Sequence, residues 1–545
     1  MKRNTLYLFL GFISLLSACH KPFEGLTAIL SNSYIDYRVS LQVVNANPKA
    51  TAYYPPNSTI TLTGDAITQG LIYTADGTKA TEEPGNVKLV NNAVTLAVKP
   101  YVKISPSSPL KFTITASAPN YITNTQDVLI TNADSLQYVD VKLLNLSALP
   151  VGVSTKAATV TSVVNGATTT PFTVTVTSKT TAPSGVTTTQ TDATVTFPAK
   201  TVFKDVNNAP IATGNSLAIN VIHFNNLNTE SVAAIPGGLD KVETTVGTSS
   251  FLLGGAVTIT AMLGTVPVKS FSNPIAVDIF LPANTYNPEA KAIIKPGDTV
   301  PVWSRNEGST IWVKEGTAKV ISEPSTGRLK TVVSVTHLST WMVAFSLPQC
   351  NAPLDMFYTS TDNLVTPLYI GIYGKEGNAQ LLADKVVTAK NGDVISIDLP
   401  QGVDIIVKLF AGNNSSGTLI QTVPASACAT SINLPNTRTN PNPTLFFDLQ
   451  TQCQNGTFRY TGPIEYRVTG NSRWDTFTPS DNGRLSTNLL IWNQTYDFRI
   501  IYKGTQYTRT KQVLQDEFRA NGAVWEYFGK TSVKQTFFNA PTSCN

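Results

Sequence analysis

Apolar and hydroxyl-bearing residues alternate one by one along this chain, and that period of two constrains its fold more than any other feature. "FTVTVT" (172–177), "ATVTF" (193–197) and "AVTITAML" (256–263) change face at every step. Side chains of a strand alternate with period two, whereas a helix repeats near 3.6, so these runs fit pleated ribbon. "YRVSLQVV", "STITLTG", "KFTITASAPNY", "YVDVKLL", "LAINVIHF", "IAVDIFLP", "PLYIGIYG", "VISIDLP", "DIIVKLFAG", "TLFFDL" and "TYDFRIIYKG" repeat the pattern between turn residues. Thr has high strand propensity, so the Thr-rich opening of the second block reads as strands and not as a glycosylated stalk. One short helix is expected near "QVLQDEFRANG", 512–522.

A chain of 545 residues is too long for one core, and about three to five domains are expected. Hydrophobic residues make up 42 %, enough to fill several cores and to exclude wholesale disorder. A net charge of +5 over this length lacks the concentrated basic stripe of a nucleic-acid binder, so no nucleic-acid partner is expected. Regular short strands with turn signals argue for sandwiches. The expected class is all-β, with tandem Ig-like β-sandwich domains.

The first residues form an address. Lys2 and Arg3 precede an apolar run, Leu6 to Leu16, about half the ~20 residues a membrane span needs. The run ends in "LSAC", 16–19. This resembles the lipobox of bacterial lipoproteins, which implies a signal peptide over 1–18, lipidation of Cys19 by diacylglyceryl thioether and an amide-linked acyl chain such as palmitate, and a tether over 19–36. Two or more acyl chains hold a protein stably at a bilayer. His20 stands where Asp marks inner-membrane retention in enteric bacteria, so the resemblance implies the outer membrane, with the face left open.

Cys350, Cys428, Cys453 and Cys544 lie in the C-terminal part. An exported chain meets an oxidising compartment, and four cysteines allow three pairings. Cys350–Cys428 and Cys453–Cys544 are favoured, because each pair brackets one candidate domain. With no CxxC pair and scattered histidines (His20, His223, His337), no metal site is expected. Composition shifts divide the rest into 37–148, 149–346, 347–440 and 441–545. "FTITASAPNYITNTQDVLI", 112–130, resembles the closing half of carboxypeptidase-regulatory-like or CnaB-type domains, with Asn120 where Gly is usual.

The segment 300–345 carries Trp303, Trp312, Gly316 and the triplet His337-Leu338-Ser339 ahead of an apolar run from Trp341 to Phe345. It resembles the self-cleaving segment of adhesion-receptor GAIN domains. The resemblance implies that Ser339 Oγ attacks the Leu338 carbonyl while His337 accepts the hydroxyl proton. Val300, Thr317, Val333 and Val335 occupy the places of that family's bracing cysteines. Trp474, Trp492, Trp525 and Tyr527 are candidates for a glycan-binding aromatic face, with core packing as the alternative. No phosphate loop, GxSxG or HExxH motif occurs, and no cofactor is expected.

These features point to a non-catalytic, lipid-anchored envelope protein with a structural, adhesive or ligand-binding role. Its partners would be the membrane, through the anchor, and an unidentified protein or glycan. The alternatives are self-cleavage at Leu338–Ser339 and glycan capture.

Overall fold

A computed structural model describes residues 36–539 apart from 75–76, 100, 106–107, 132–136, 182–186, 213, 362–365, 378, 413, 416, 437–443, 449, 454–455, 459–463, 478–483, 503–504, 522–523, 528–535. The leader, Cys19, the tether up to residue 35 and Cys544 lie outside the described residues, as does the side chain of Cys453, and Asp36 already begins the first strand. The chain is 3 % helical and 59 % strand, which makes it all-β. The stretch expected to be helical contains a single 3-10 turn, Gln515–Glu517, and then the strand Phe518–Asn521. Tertiary pairing outweighs weak local helix propensity there: Phe518 pairs with Tyr527 and is buried. Among the described residues no helix is long and apolar enough to cross a membrane.

Four units follow one another along the chain. In the first, a five-stranded sheet packs on a three-stranded one. Asp36–Asn45 runs parallel to Gln137–Asn145, and Leu41, Val43 and Val141 face Phe112 and Ile114 in one apolar core. Leu110–Ser117 and Asn124–Ile130 form the antiparallel pair expected for 112–130. Asn120 turns the chain between them at φ 66°, a left-handed conformation that Asn tolerates better than most residues.

The second unit is one thirteen-stranded sheet that folds over on itself. Val313–Ser322 pairs with Thr299–Arg305 on one side and Leu329–His337 on the other, linking the two faces. Between them lie Val176, Val195, Val221, Ile259, Val277, Val335 and Phe345, the inward half of each alternating run. The longest strand, Gly247–Leu263, bulges between Leu253 and Gly255. The bulge is crowded: a Cβ on Gly255 would lie 2.9 Å from Ile279 Cγ2, so that side chain would have to shift to admit one.

The third unit packs a three-stranded sheet on a four-stranded one and carries the disulfide Cys350–Cys428, with Cα atoms 5.5 Å apart. This is one of the two expected pairings. The fourth unit has its own core of Phe447, Tyr466, Phe477, Phe498 and Phe518.

The units are docked and not strung as beads. Ala46 and Leu144 of the first unit share an apolar cluster with Phe251, Trp303 and Trp312 of the second. Arg305 donates to Thr125 O of the first unit at 2.8 Å, and Gly237 N donates to Asn124 Oδ1 at 2.7 Å. The second and third units share a continuous core. At their junction Gln380 fills the gap that the bulge opens. Its Oε1 accepts from Leu253 N and its Nε2 donates to Phe251 O, both at 2.9 Å and both buried. Ala379 adopts φ 50° in the turn that delivers Gln380, a conformation costing about 1 kcal/mol or more in a non-glycine residue. Gln380→Ala would leave a buried N–H and a buried C=O without partners. Urea unfolding of the variant is expected to show a loss of about 2–4 kcal/mol; a loss under about 0.5 kcal/mol would mean that the junction does not depend on this side chain.

Candidate functional site

His337 ends the strand Leu329–His337, and Thr340 begins Thr340–Pro348. The turn between them is pinned by the backbone. Leu338 N donates to Lys269 O at 2.8 Å, and Ile259 N donates to Ser339 O at 3.2 Å. The Leu338 side chain is buried in the core of the second unit. The His337 ring packs on Trp341 with centroids 4.8 Å apart, and its Nε2 lies 3.5 Å from Glu315 Oε1. Ser339 Oγ and His337 Nδ1 are both buried with no hydrogen-bond partner among the described residues. The hydroxyl and the imidazole are therefore neighbours in sequence that do not bond to each other. None of residues 337–339 takes a left-handed φ.

The two earlier tryptophans are buried nearby. Trp303 Nε1 donates to Ala344 O at 3.0 Å, and both indoles pack edge-on against Phe251 at 4.9 and 5.9 Å. Gly316 permits φ 131° opposite the bulge between Val302 and Trp303. Val300, Val333 and Val335 brace this region by packing in the core.

The four C-terminal aromatics do not form one surface. Trp474 is only 6 % exposed and lies between the guanidiniums of Arg467 and Arg499, 4.4 and 4.5 Å from its ring centroid. Tyr527 is 8 % exposed and packs on Phe447 and Phe518. Trp492 and Trp525 meet edge to face at 5.6 Å and are half-buried. Packing therefore takes up Trp474 and Tyr527 and leaves Trp492 and Trp525 partly open. His223 is a buried strand residue whose pKa is held well below the ordinary imidazole value by burial, although the nearby Asp192 charge opposes this. Asp192 in turn accepts from Ser154 Oγ at 2.8 Å and Ser178 Oγ at 3.0 Å. Among the described residues no cluster of His, Cys, Asp and Glu could hold a metal.

Two features have no local signature in the sequence. One is a clasp between the first and fourth units. Arg499 donates to Glu465 in a bidentate pair, Nε to Oε2 at 2.5 Å and Nη2 to Oε1 at 3.0 Å, and both side chains are buried. Gln42 of the first unit donates to the same Glu465 Oε1. Tyr54 OH donates to Gln42 Oε1 at 3.4 Å and accepts from Trp474 N at 3.1 Å. Burial pushes the Tyr54 phenol up to about 12. The other is a groove of 820 Å³ where the first unit meets the outer face of the second, and Ser339 is part of its lining.

Removing one member of the buried pair leaves an uncompensated charge. Arg499→Met is expected to weaken the unfolding transition of the fourth unit by about 3–5 kcal/mol. Arg499→Met combined with Glu465→Leu is expected to recover most of that loss in the same denaturant titration. Equal losses in both variants would show that the charge pair is not what holds the clasp.

The fold defines the class: a multi-unit, all-β protein of docked β-sandwiches. No family model matches the sequence, and no curated protein does. Among solved structures, the C-terminal fragment of the pilus adhesin SpaC from Lactobacillus rhamnosus GG is 10 % identical over 36 % of this chain and 100 % of that one, with a TM-score of 0.12. A streptococcal ancillary pilin is 10 % identical over 47 % and 96 %, with a TM-score of 0.13. BcpA, the major pilin subunit of Bacillus cereus, is 9 % identical over 74 % and 98 %, with a TM-score of 0.13. At these scores the likeness assigns neither family nor role.

Proposed function

We propose that this chain is a non-catalytic, lipid-anchored protein of the bacterial cell envelope, held at the outer membrane through Cys19, with a structural or adhesive role. The observation that carries this reading is the docking of four β units through buried contacts on top of a lipobox-like leader. Shared apolar cores and Gln380 support a stiff scaffold across the first three units, which suits a surface module that must present loops in fixed positions. The partner is a protein or a glycan outside the membrane. Cys19→Ser is expected to move the protein from the detergent-extracted membrane fraction to the soluble fraction. Intact mass of the wild type is expected to begin at residue 19 and to carry the acyl chains. A wild type recovered without detergent and without added lipid mass would end the anchoring reading.

A second reading is favoured by one observation, the buried Ser339 hydroxyl that lacks a partner among the described residues. In it, Ser339 Oγ attacks the Leu338 carbonyl carbon and the hydroxyl proton passes by way of His337 to the leaving amide nitrogen. The C–N bond breaks as an ester forms, and water then cleaves the ester. Rotation of the His337 ring off Trp341 has to come first. A denaturing gel is expected to show two pieces divided at Leu338–Ser339, and one piece for Ser339→Ala. A single wild-type band of full mass eliminates self-cleavage and leaves the scaffold reading intact.

A further inference from the structure

We propose that the groove between the first and second units is a binding site for a neutral oligosaccharide. Its floor is the outer face of four neighbouring strands, Val153–Val160, Leu217–Asn225, Gly247–Leu263 and Thr340–Pro348. In the middle row Ala157, Asn220 and Thr260 stand side by side in register. Apart from Met262, the outward positions of this face hold short side chains such as Thr155, Ala157, Ala218, Thr258 and Thr260, so the face is hollow. Tyr121 and Ile122 of the first unit form one wall, and 306–308 with Lys269 form the other. The volume of 820 Å³ falls within the ~300–1,000 Å³ of small-molecule sites, which favour domain junctions.

The polar groups of the groove are unspent. Asn220 Oδ1 accepts from Thr155 Oγ1 at 3.0 Å, which leaves the Asn220 amide nitrogen without a partner among the described residues. Thr258 and Thr340 share one hydrogen bond of 2.8 Å, so one of the two hydroxyl protons remains to be placed. Ser339 Oγ is buried in the lining and has no partner among the described residues. Hydroxyls and an amide that can both donate and accept suit a ligand bearing many hydroxyls.

Charge selects a neutral ligand. Lys269 and Glu307 neutralise each other at 2.8 Å. Arg305 directs its Nε, Nη1 and Nη2 to the carbonyls of Ser309, Pro236 and Thr125. Among the described residues lining the groove, the one carboxylate is paired with Lys269 and the Arg305 guanidinium is turned onto backbone carbonyls, so neither sign of charge is offered to a ligand. The floor is the face of a sheet, so an extended peptide could not add to it as a strand, because strand addition uses a sheet edge. Ala157, Ala218, Met262 and the half-buried Tyr121 ring offer apolar surface for the C–H faces of a sugar.

This inference names the ligand class within the adhesive reading, and its test is independent of anchoring. The full-length lipidated protein, in a detergent without sugar headgroups, is applied to an array of neutral and acidic oligosaccharides. At least one neutral class is expected to bind. Ala157→Trp and Ala218→Trp, at exposed floor positions, fill the groove and are expected to weaken binding by roughly tenfold or more with unchanged melting. Trp492→Ala is expected to leave binding as it was. Binding to no neutral glycan, binding to acidic glycans alone, or unchanged affinity in both groove-filling variants would overturn the proposal. Each of these results leaves the membrane-fractionation test of Cys19 unaffected.

Discussion

The strand Gly247–Leu263 is the member on which the rest of the structure depends. It pairs with Leu217–Asn225 along one edge and with Thr340–Pro348 along the other. Near its start Phe251 supports Trp303 and Trp312. At its bulge Leu253 N and Phe251 O leave the regular ladder and find Gln380 of the third unit. Further on, Ile259 N holds the Ser339 carbonyl, and Thr258 and Thr260 form part of the groove floor. A bulge normally leaves backbone groups to water. Here the irregularity becomes the socket for a neighbouring unit, so one local defect fixes the relation between two cores.

The junctions differ in kind. The first and second units share an apolar cluster, and the second and third share a core, so separating either pair would expose apolar surface at roughly 25 cal/mol per Å². Among the described residues the fourth unit meets the first through polar and cation–aromatic contacts: the clasp at Glu465, Asn91 with Gln506 at 2.6 Å, and Arg473 over the Tyr53 ring at 5.2 Å. A polar junction between units is the kind across which relative motion is the default. The buried Arg499–Glu465 pair gives little net stability over an apolar pair of the same shape, but it punishes misalignment severely. Glu465 Oε1 accepts from Gln42 as well as from Arg499, so the pair within the fourth unit also presents an acceptor to the first.

How much of this was legible in the sequence depends on how local the cause is. Alternation in "FTVTVT", "ATVTF" and "AVTITAML" marks the strands Phe172–Thr181, Thr187–Phe197 and Gly247–Leu263, because each residue's face is set by its neighbours two places away. "QVLQDEF" misled, because its weak helical pattern gave way to the pairing of Phe518 with Tyr527. The triplet at 337–339 could be read as residues but not as geometry: the ring that takes up His337 is Trp341, and only the folded turn brings the two together, tilted by 39°. Glu465 and Arg499 could not be paired beforehand, and their contact with Gln42 spans 423 residues of sequence. Trp474 could not be told from an exposed platform, because the Arg499 guanidinium that helps Arg467 enclose it and the Tyr54 hydroxyl that bonds its backbone come from strands or loops distant in sequence.

The groove draws on both levels. Its hydroxyls come from the outward half of the alternation that fills the core, so the sequence pattern that builds the sandwich also equips its surface. Its walls do not, because they exist only where the first unit docks. Arg305 joins the two: burial lowers its pKa to about 10, still well above neutrality, so the guanidinium remains charged and holds Thr125 O of the first unit against the second. Asn124 with Gly237, and Lys111 with Asp127 and Glu243, fix the same junction. A cavity whose floor is a paired sheet and whose wall is fastened at three points needs little reordering when it is filled, and preorganisation of that kind is what lets modest polar contacts yield useful affinity.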